Sequence, residues 1–268
     1  MRRLLYVPAA LLAAFLIGSA AYSMVDVAVQ ETTETTLDFA TTDEVVLRND
    51  GGGVRVIGDR AEGIRVVLRQ RDGIQASSAG AHLDAEGRVV VSTRCPPVMT
   101  VVCKAEATVH VPKGTAVTGG SGGSVRVRDV GGPVDVSVGW GVVSVSGAEG
   151  PVRARSGGGR IEVFDSSGDL DLRSSNGSVT VDGTHANVVE ASSSNGRVRL
   201  GFSNHPHRVN ARSSNGSITV TLPGDAPPYA VSTSTSNGST TTGVRTDPSA
   251  ERSIVASTAN GSITVAYR

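Results

Sequence analysis

From Leu37 onward the chain alternates apolar and polar residues in short runs, and clusters of Gly, Asp, Ser and Asn separate the runs. A period of two puts successive side chains on opposite faces, which is the pattern of a strand with one face buried. Residues 45–47, 54–57, 64–68, 88–91 and 100–111 are therefore expected strands. After Val117 the pattern becomes periodic. Aligned on a glycine-containing corner, the segments read SVGWGVVSV, RSGGGRIEV, SSNGSVTV, SSNGRVRL, SSNGSITV, TSNGSTTT and TANGSITV. The residue before the corner glycine is Gly122, Trp140, Gly158, Asn176, Asn195, Asn215, Asn237 and Asn260, at spacings of 18, 18, 18, 19, 20, 22 and 23. Recurrence at one period near this length is the sequence signature of a solenoid.

The slots within the repeat explain themselves physically. Asn-Gly accepts left-handed backbone conformations at little cost and so turns the chain sharply. The pairs Asn176-Gly177, Asn195-Gly196, Asn215-Gly216, Asn237-Gly238 and Asn260-Gly261 are expected to stack as a structural corner ladder. Three and five residues past the corner come Val143/Val145, Ile161/Val163, Val179/Val181, Val198/Leu200, Ile218/Val220 and Ile263/Val265. Six and four residues before it come Val134/Val136, Val152/Ala154, Leu170/Leu172, Val189/Ala191, Val209/Ala211 and Ile254/Ala256. These are two inward faces, and the Arg, Asp, Glu, Ser and Thr between them belong in solvent. Asp135, Arg153 and Asp171 share one outward slot in successive repeats, which sets opposite charges across neighbouring strands. A hairpin stack or β-sandwich has no reason to repeat one local pattern eight times. The fold class is therefore all-β, a single-stranded β-helix (β-solenoid) over 116–268, with an irregular β region over 37–115 before it. Eight rungs make a rod on the order of 35–40 Å. Residues 222–228 and 243–251 lengthen the outer loops, and Ile263 to Tyr267 ends the solenoid on an open edge suited to self-association.

The N-terminus sets the compartment. Arg2 and Arg3 precede an uncharged run from Leu4 to Val25, long enough for a transmembrane helix with its N-terminus in the cytoplasm. A cleaved signal peptide, with Ser19-Ala20-Ala21 at the cleavage site, is the close rival. On either reading residues 1–25 direct export to the cell membrane or cell surface, and the polar, Thr-rich residues 26–36 read as a linker. Outside the cytoplasm the two cysteines, Cys95 and Cys103, are expected to form a disulfide. Formal net charge is zero and aromatics are 3% of the chain, which argues against nucleic acid as a partner.

Few residues point to chemistry. The sequence contains no nucleophile elbow, P-loop or His-Glu-x-x-His motif, and catalytic, cofactor and metal sites are all expected to be absent. His205-Pro206-His207 reads as a pair of turn residues. Asp165, Asp169, Asp171 and Asp182 would serve the alternative reading, a carbohydrate-active β-helix enzyme, although arginines close by make a solvated ion-pair face the simpler account. Trp140 stands where other repeats carry Asn or Gly, and it is a candidate surface contact for a sugar.

The recurrent Ser-Ser-Asn-Gly-Ser-[Val/Ile]-Thr-Val units, the run from Val109 to Thr115 (VHVPKGT) and the N-terminal apolar segment together resemble the bacterial putative-adhesin family of cell-envelope β-solenoid domains, related to the autotransporter-adhesin head domain. The resemblance covers roughly residues 40–268. It implies an envelope location, an adhesin-like surface or scaffold role, and an envelope glycan or protein as ligand. It supplies no catalytic residues. A self-assembling envelope polymer is the remaining alternative.

Overall fold

The computed structural model describes residues 31–72, 77–95 and 103–268. The anchor or signal segment expected over 1–25 lies outside them, and among the described residues no helix is long and apolar enough to cross a membrane. Every described element is a strand. The first seven are β1 (Glu31–Phe39), β2 (Glu44–Asn49), β3 (Gly53–Arg60), β4 (Ile64–Asp72), β5 (Ser78–Leu83), β6 (Val89–Arg94) and β7 (Cys103–Pro112). Next come β8 (Ala116–Ser121), β9 (Ser124–Arg128), β10 (Val134–Val138), β11 (Val143–Ser146), β12 (Val152–Ser156) and β13 (Ile161–Phe164). They continue as β14 (Leu170–Ser174), β15 (Val179–Thr184), β16 (Val188–Ser193), β17 (Val198–Phe202), β18 (Arg208–Asn215) and β19 (Ile218–Leu222). The last four are β20 (Ala230–Asn237), β21 (Thr240–Thr242), β22 (Ser253–Asn260) and β23 (Ile263–Tyr267).

Two sheets face each other. Sheet A has twelve strands in the order β1-β4-β7-β3-β9-β11-β13-β15-β17-β19-β23-β21. Sheet B has eleven, ordered β20-β22-β18-β16-β14-β12-β10-β8-β2-β6-β5. Each rung is one strand of each sheet joined by a corner, and successive rungs pair in parallel and in register, as in Val134↔Val152 and Val152↔Leu170. The inward slots close into one dry column. Val134, Val136, Val143 and Val145 are each at most 1% exposed, and so are Val179, Val181, Val198 and Leu200 farther along sheet A. Burying one such side chain contributes about 1.5–3 kcal/mol, so the rungs are held chiefly by aliphatic stacking.

Three expectations are corrected. The irregular region does not precede the solenoid but belongs to it. β2 and β3 form a rung between that of β6 and β7 and that of β8 and β9, so the expected boundary at 115/116 divides neither sheet. The stack therefore has ten rungs, not eight, or roughly 45 Å at the strand spacing. The linker expected over 26–36 is strand from Glu31 on: β1 pairs antiparallel with β4 along its whole length, because alternating Thr and Glu can form ladder hydrogen bonds as well as any residue.

The third correction concerns the C-terminal edge. β23 lies inside sheet A, between β19 and β21, and β22 lies inside sheet B, between β18 and β20. The chain runs out past one rung position to build β20 and β21, then returns to fill the gap. The long spacings of 22 and 23 residues supply the length for that double crossing. Rung β20–β21 is thus the terminal cap, and of its inward slots only Val231 stays aliphatic while Thr233, Thr240 and Thr242 fill the others. A polar last rung ends the stack without offering an apolar face. The crossing loops are themselves packed: Ala226 and Tyr229 are fully buried, and the Tyr229 hydroxyl donates to the Pro206 carbonyl at 3.1 Å. Burial pushes the Tyr229 phenol up to about 12.

Candidate functional site

The corner that carries the repeat signature is built from three parallel columns. In the first, the side-chain amides of the corner asparagines form a continuous chain. Asn195 Nδ2 donates to Asn176 Oδ1 at 2.8 Å, and Asn215 to Asn195 at 3.0 Å. Asn260 then donates to Asn215 and Asn237 to Asn260, both at 2.8 Å. The first amide of the row, Asn176, donates to the Gly157 carbonyl at 3.2 Å. The spatial order is therefore 176, 195, 215, 260, 237, which follows the crossed rungs and not the sequence. All five side chains are exposed. An amide has two N–H donors and two acceptor lone pairs, so each keeps hydrogen-bonding capacity directed at solvent.

The second column is glycine, and its physical reason differs from the expected one. Of Gly177, Gly196, Gly216, Gly238 and Gly261, only Gly261 has a positive φ, 149°. What the position requires is close approach: a Cβ built on Gly261 would lie 2.5 Å from the Gly216 carbonyl oxygen, and one on Gly177, Gly196, Gly216 or Gly238 would sit closer still to the oxygen of the glycine one rung away. The left-handed residues are at the opposite corner, where Asp129 (φ 55°), Gly147 (63°), Asp165 (49°) and Gly183 (71°) succeed one another at one position per rung.

The third column escaped the sequence reading, which sent intervening Ser and Thr to solvent. The first serine of each Ser-Ser-Asn-Gly unit is buried: Ser174, Ser193 and Ser213 are 6%, 4% and 8% exposed. Its hydroxyl accepts from the corner glycine N–H of its own rung, as Ser174 does from Gly177 at 2.9 Å and Ser193 from Gly196 at 2.8 Å. It also donates to the corner glycine carbonyl of the adjacent rung, as Ser193 does to Gly177 at 2.9 Å and Ser213 to Gly196 at 3.1 Å. Thr258 and Thr235 do the same at 3.0 and 2.9 Å. The recurrence of Ser or Thr three residues before the corner glycine in each of the six repeats from Gly159 to Gly261 was the available signal.

Trp140 occupies the asparagine column two rungs before Asn176 and is 81% exposed. Its six-membered ring edge lies against Gly158, where a Cβ would collide with Cε3. The indole therefore covers the one rung between Trp140 and the amide ladder that has no side chain of its own.

The mid-repeat aspartates do not gather on one reactive point. Asp171 lies on the outer face of sheet B, paired with Arg153 at 3.2 Å and Arg173 at 2.9 Å. Arg153 also reaches Asp135 at 3.7 Å, so the alternating charges of this slot are in contact. The shallow depression beside them, about 280 Å³, sets Asp171 opposite Glu190, and both carboxylates pair with Arg173. Asp182 belongs to sheet A and pairs with Arg268. Asp169 Oδ1 accepts the Val188 N–H at 3.0 Å, and Asp165 supplies a left-handed corner. His205 pairs with Asp225 at 3.2 Å in the crossing region, apart from His207, which donates its backbone N–H to Asn187. Among the described residues no group of three His, Cys, Asp or Glu side chains could hold a metal ion, and no cysteine is free. The Cys103 side chain and the loop before it, on which the expected Cys95–Cys103 bridge falls, lie outside the described residues.

Comparison with curated proteins gives no significant match. Two solved structures share the fold. A "putative adhesin" from Parabacteroides merdae ATCC 43184 is 11% identical, with 89% of this chain and 96% of that chain covered at a TM-score of 0.57. A second "putative adhesin", from Bacteroides fragilis NCTC 9343, is 12% identical, covering 88% and 97% at a TM-score of 0.51. A family model, Toastrack DUF4097, matches residues 104–266. Parallel two-strand rungs, stacked corner glycines and a match across more than half the chain lead to one conclusion: this protein belongs to the Toastrack DUF4097 family, a domain of unknown function.

Proposed function

We propose that this protein is a non-enzymatic, exported cell-envelope component whose stacked rungs present a rigid surface, adhesin-like or as a scaffold, to an envelope glycan or protein. The observation that carries this reading is the use made of the polar residues. Asp171, Asp182, Asp169 and Asp165 are each engaged in a rung-to-rung contact or a corner, while the exposed corner amides recur at strand spacing along one edge. A repeated surface suits recognition of a repeated or extended partner better than it suits one reacting bond. Export rests on Arg2, Arg3 and the uncharged run to Val25, and the names of the two structural neighbours agree with a surface role.

The test is retention of the full-length protein on intact cells and on purified envelope polymers, beside a panel of glycans assayed for new reducing ends. Retention without glycan cleavage is the expected result. Cleavage abolished by Asp171→Ala would replace this reading with the hydrolytic one.

A further inference from the structure

We infer that the edge from Trp140 to Asn237 binds an unbranched, uncharged polysaccharide lying lengthwise along the rod, with the indole as its stacking platform. The inference rests on the surface role just proposed and specifies the ligand class.

The indole is the largest exposed apolar group in the described structure, at 81%, and one edge of it is seated on Gly158. The positions around it, Gly139, Gly141, Gly157 and Gly159, have no side chains. The ring therefore stands on a bare backbone shelf, open to a flat ligand. Aromatic faces of this kind combine an apolar body with a polar N–H, which suits the apolar faces and hydroxyl rims of pyranose rings.

The amide row begins where the indole stops. Asn176, Asn195, Asn215, Asn260 and Asn237 continue the same column, each hydrogen-bonded to the next. That bonding fixes their side-chain orientation before any ligand arrives, so little rotamer freedom is lost on binding. Their repeat is the strand spacing, ~4.8 Å, close to the advance of one sugar unit in an extended β-linked chain. The five amides thus follow the period of such a polymer, and the indole lies in line with them two rungs before Asn176. The column holds no charged residue, so the fitting partner is a neutral hydroxyl- or acetamido-bearing glycan. A protein strand fits poorly along the column, because every rung of it except the terminal β20–β21 is interior to its sheets and has no free backbone edge.

Trp140 is the only tryptophan in the chain, so intrinsic indole emission reports this site alone. Full-length protein is titrated with cellohexaose, chitohexaose and the matching disaccharides, following emission and heat. The expected result is an emission change with at least one hexamer and an affinity at least about tenfold above its disaccharide, the gain expected when extra units meet extra ladder contacts. Trp140→Ala should lower the hexamer affinity by about tenfold or more with an unchanged melting temperature. Asn215→Ala should weaken it several-fold, and Arg126→Gln on the outer face of sheet A should leave it unchanged. Should Asn215→Ala fold poorly, Trp140→Ala with the chain-length series still decides. Binding of neither hexamer, or equal binding by wild type and Trp140→Ala, overturns the inference. Continued retention on cells in that case would leave the surface role standing, whereas loss of both would end the two readings together.

Discussion

Replacing Ser193 with alanine isolates what holds the corners together. The Ser193 hydroxyl is 4% exposed, accepts the Gly196 N–H at 2.8 Å and donates to the Gly177 carbonyl at 2.9 Å. Alanine fills nearly the same space but strands a donor and an acceptor at a corner that the glycine column keeps closed to side chains. Each buried group left unpaired costs about 1–3 kcal/mol, so the pair together should cost about 2–6 kcal/mol. Ser194, the next residue, is exposed, and Ser194→Ala should change stability by no more than about 0.5 kcal/mol. Ser193→Thr should be nearly neutral, since Thr258 and Thr235 donate the same rung-to-rung bond to a corner glycine carbonyl in other rungs. The assay is urea denaturation followed by far-ultraviolet circular dichroism, with midpoints compared at constant slope. Equal effects of Ser193→Ala and Ser194→Ala, or a Thr variant as damaged as the Ala variant, would refute the hydroxyl column as a structural element.

Other consequences follow from the same geometry. Leu200→Ala, in a fully buried slot, should cost about 2–5 kcal/mol, measured in the same denaturation. The raised Tyr229 phenol, about 12 against an ordinary value of 10, favours the protonated form in the folded state. The stability tied to it is complete below pH 10 and is lost as pH rises through 12, by up to ~1.4 kcal/mol per pH unit. Tyr229→Phe should flatten that part of a stability–pH curve, and an unchanged slope would show that burial of the hydroxyl has no such effect. Intact mass of the unreduced protein after alkylation should show both cysteines protected, and a Cys95→Ser, Cys103→Ser double variant should lose about 2–3 kcal/mol, the chain-entropy value for a loop of this size.

The sequence by itself determined the local unit. Aliphatic residues two apart, such as Val179/Val181 and Leu170/Leu172, faced one interior because a strand leaves them no alternative. The outward Asp135, Arg153 and Asp171 met across parallel strands for the same reason, and the corner residues from Asn176 to Asn260 declared themselves by period alone. Some local features were legible in principle and were misread. The corner glycines were assigned to backbone twist when their function is close approach, and the buried serines looked like surface because a hydroxyl carries no apolar signal.

Only the tertiary structure decided how the units are ordered. Every rung but the last offers the same two ladders of N–H and C=O groups and the same aliphatic core slots, so the local pattern does not distinguish one neighbour from another. Asn260 stacks on Asn215 ahead of Asn237, and β2 and β3 slip between rungs far along the chain, because loop reach and the need for a polar last rung act on the whole stack. Likewise Trp140 became a platform only when Gly158 and Asn176 were brought beneath and beside it, a relation between rungs that no single repeat contains.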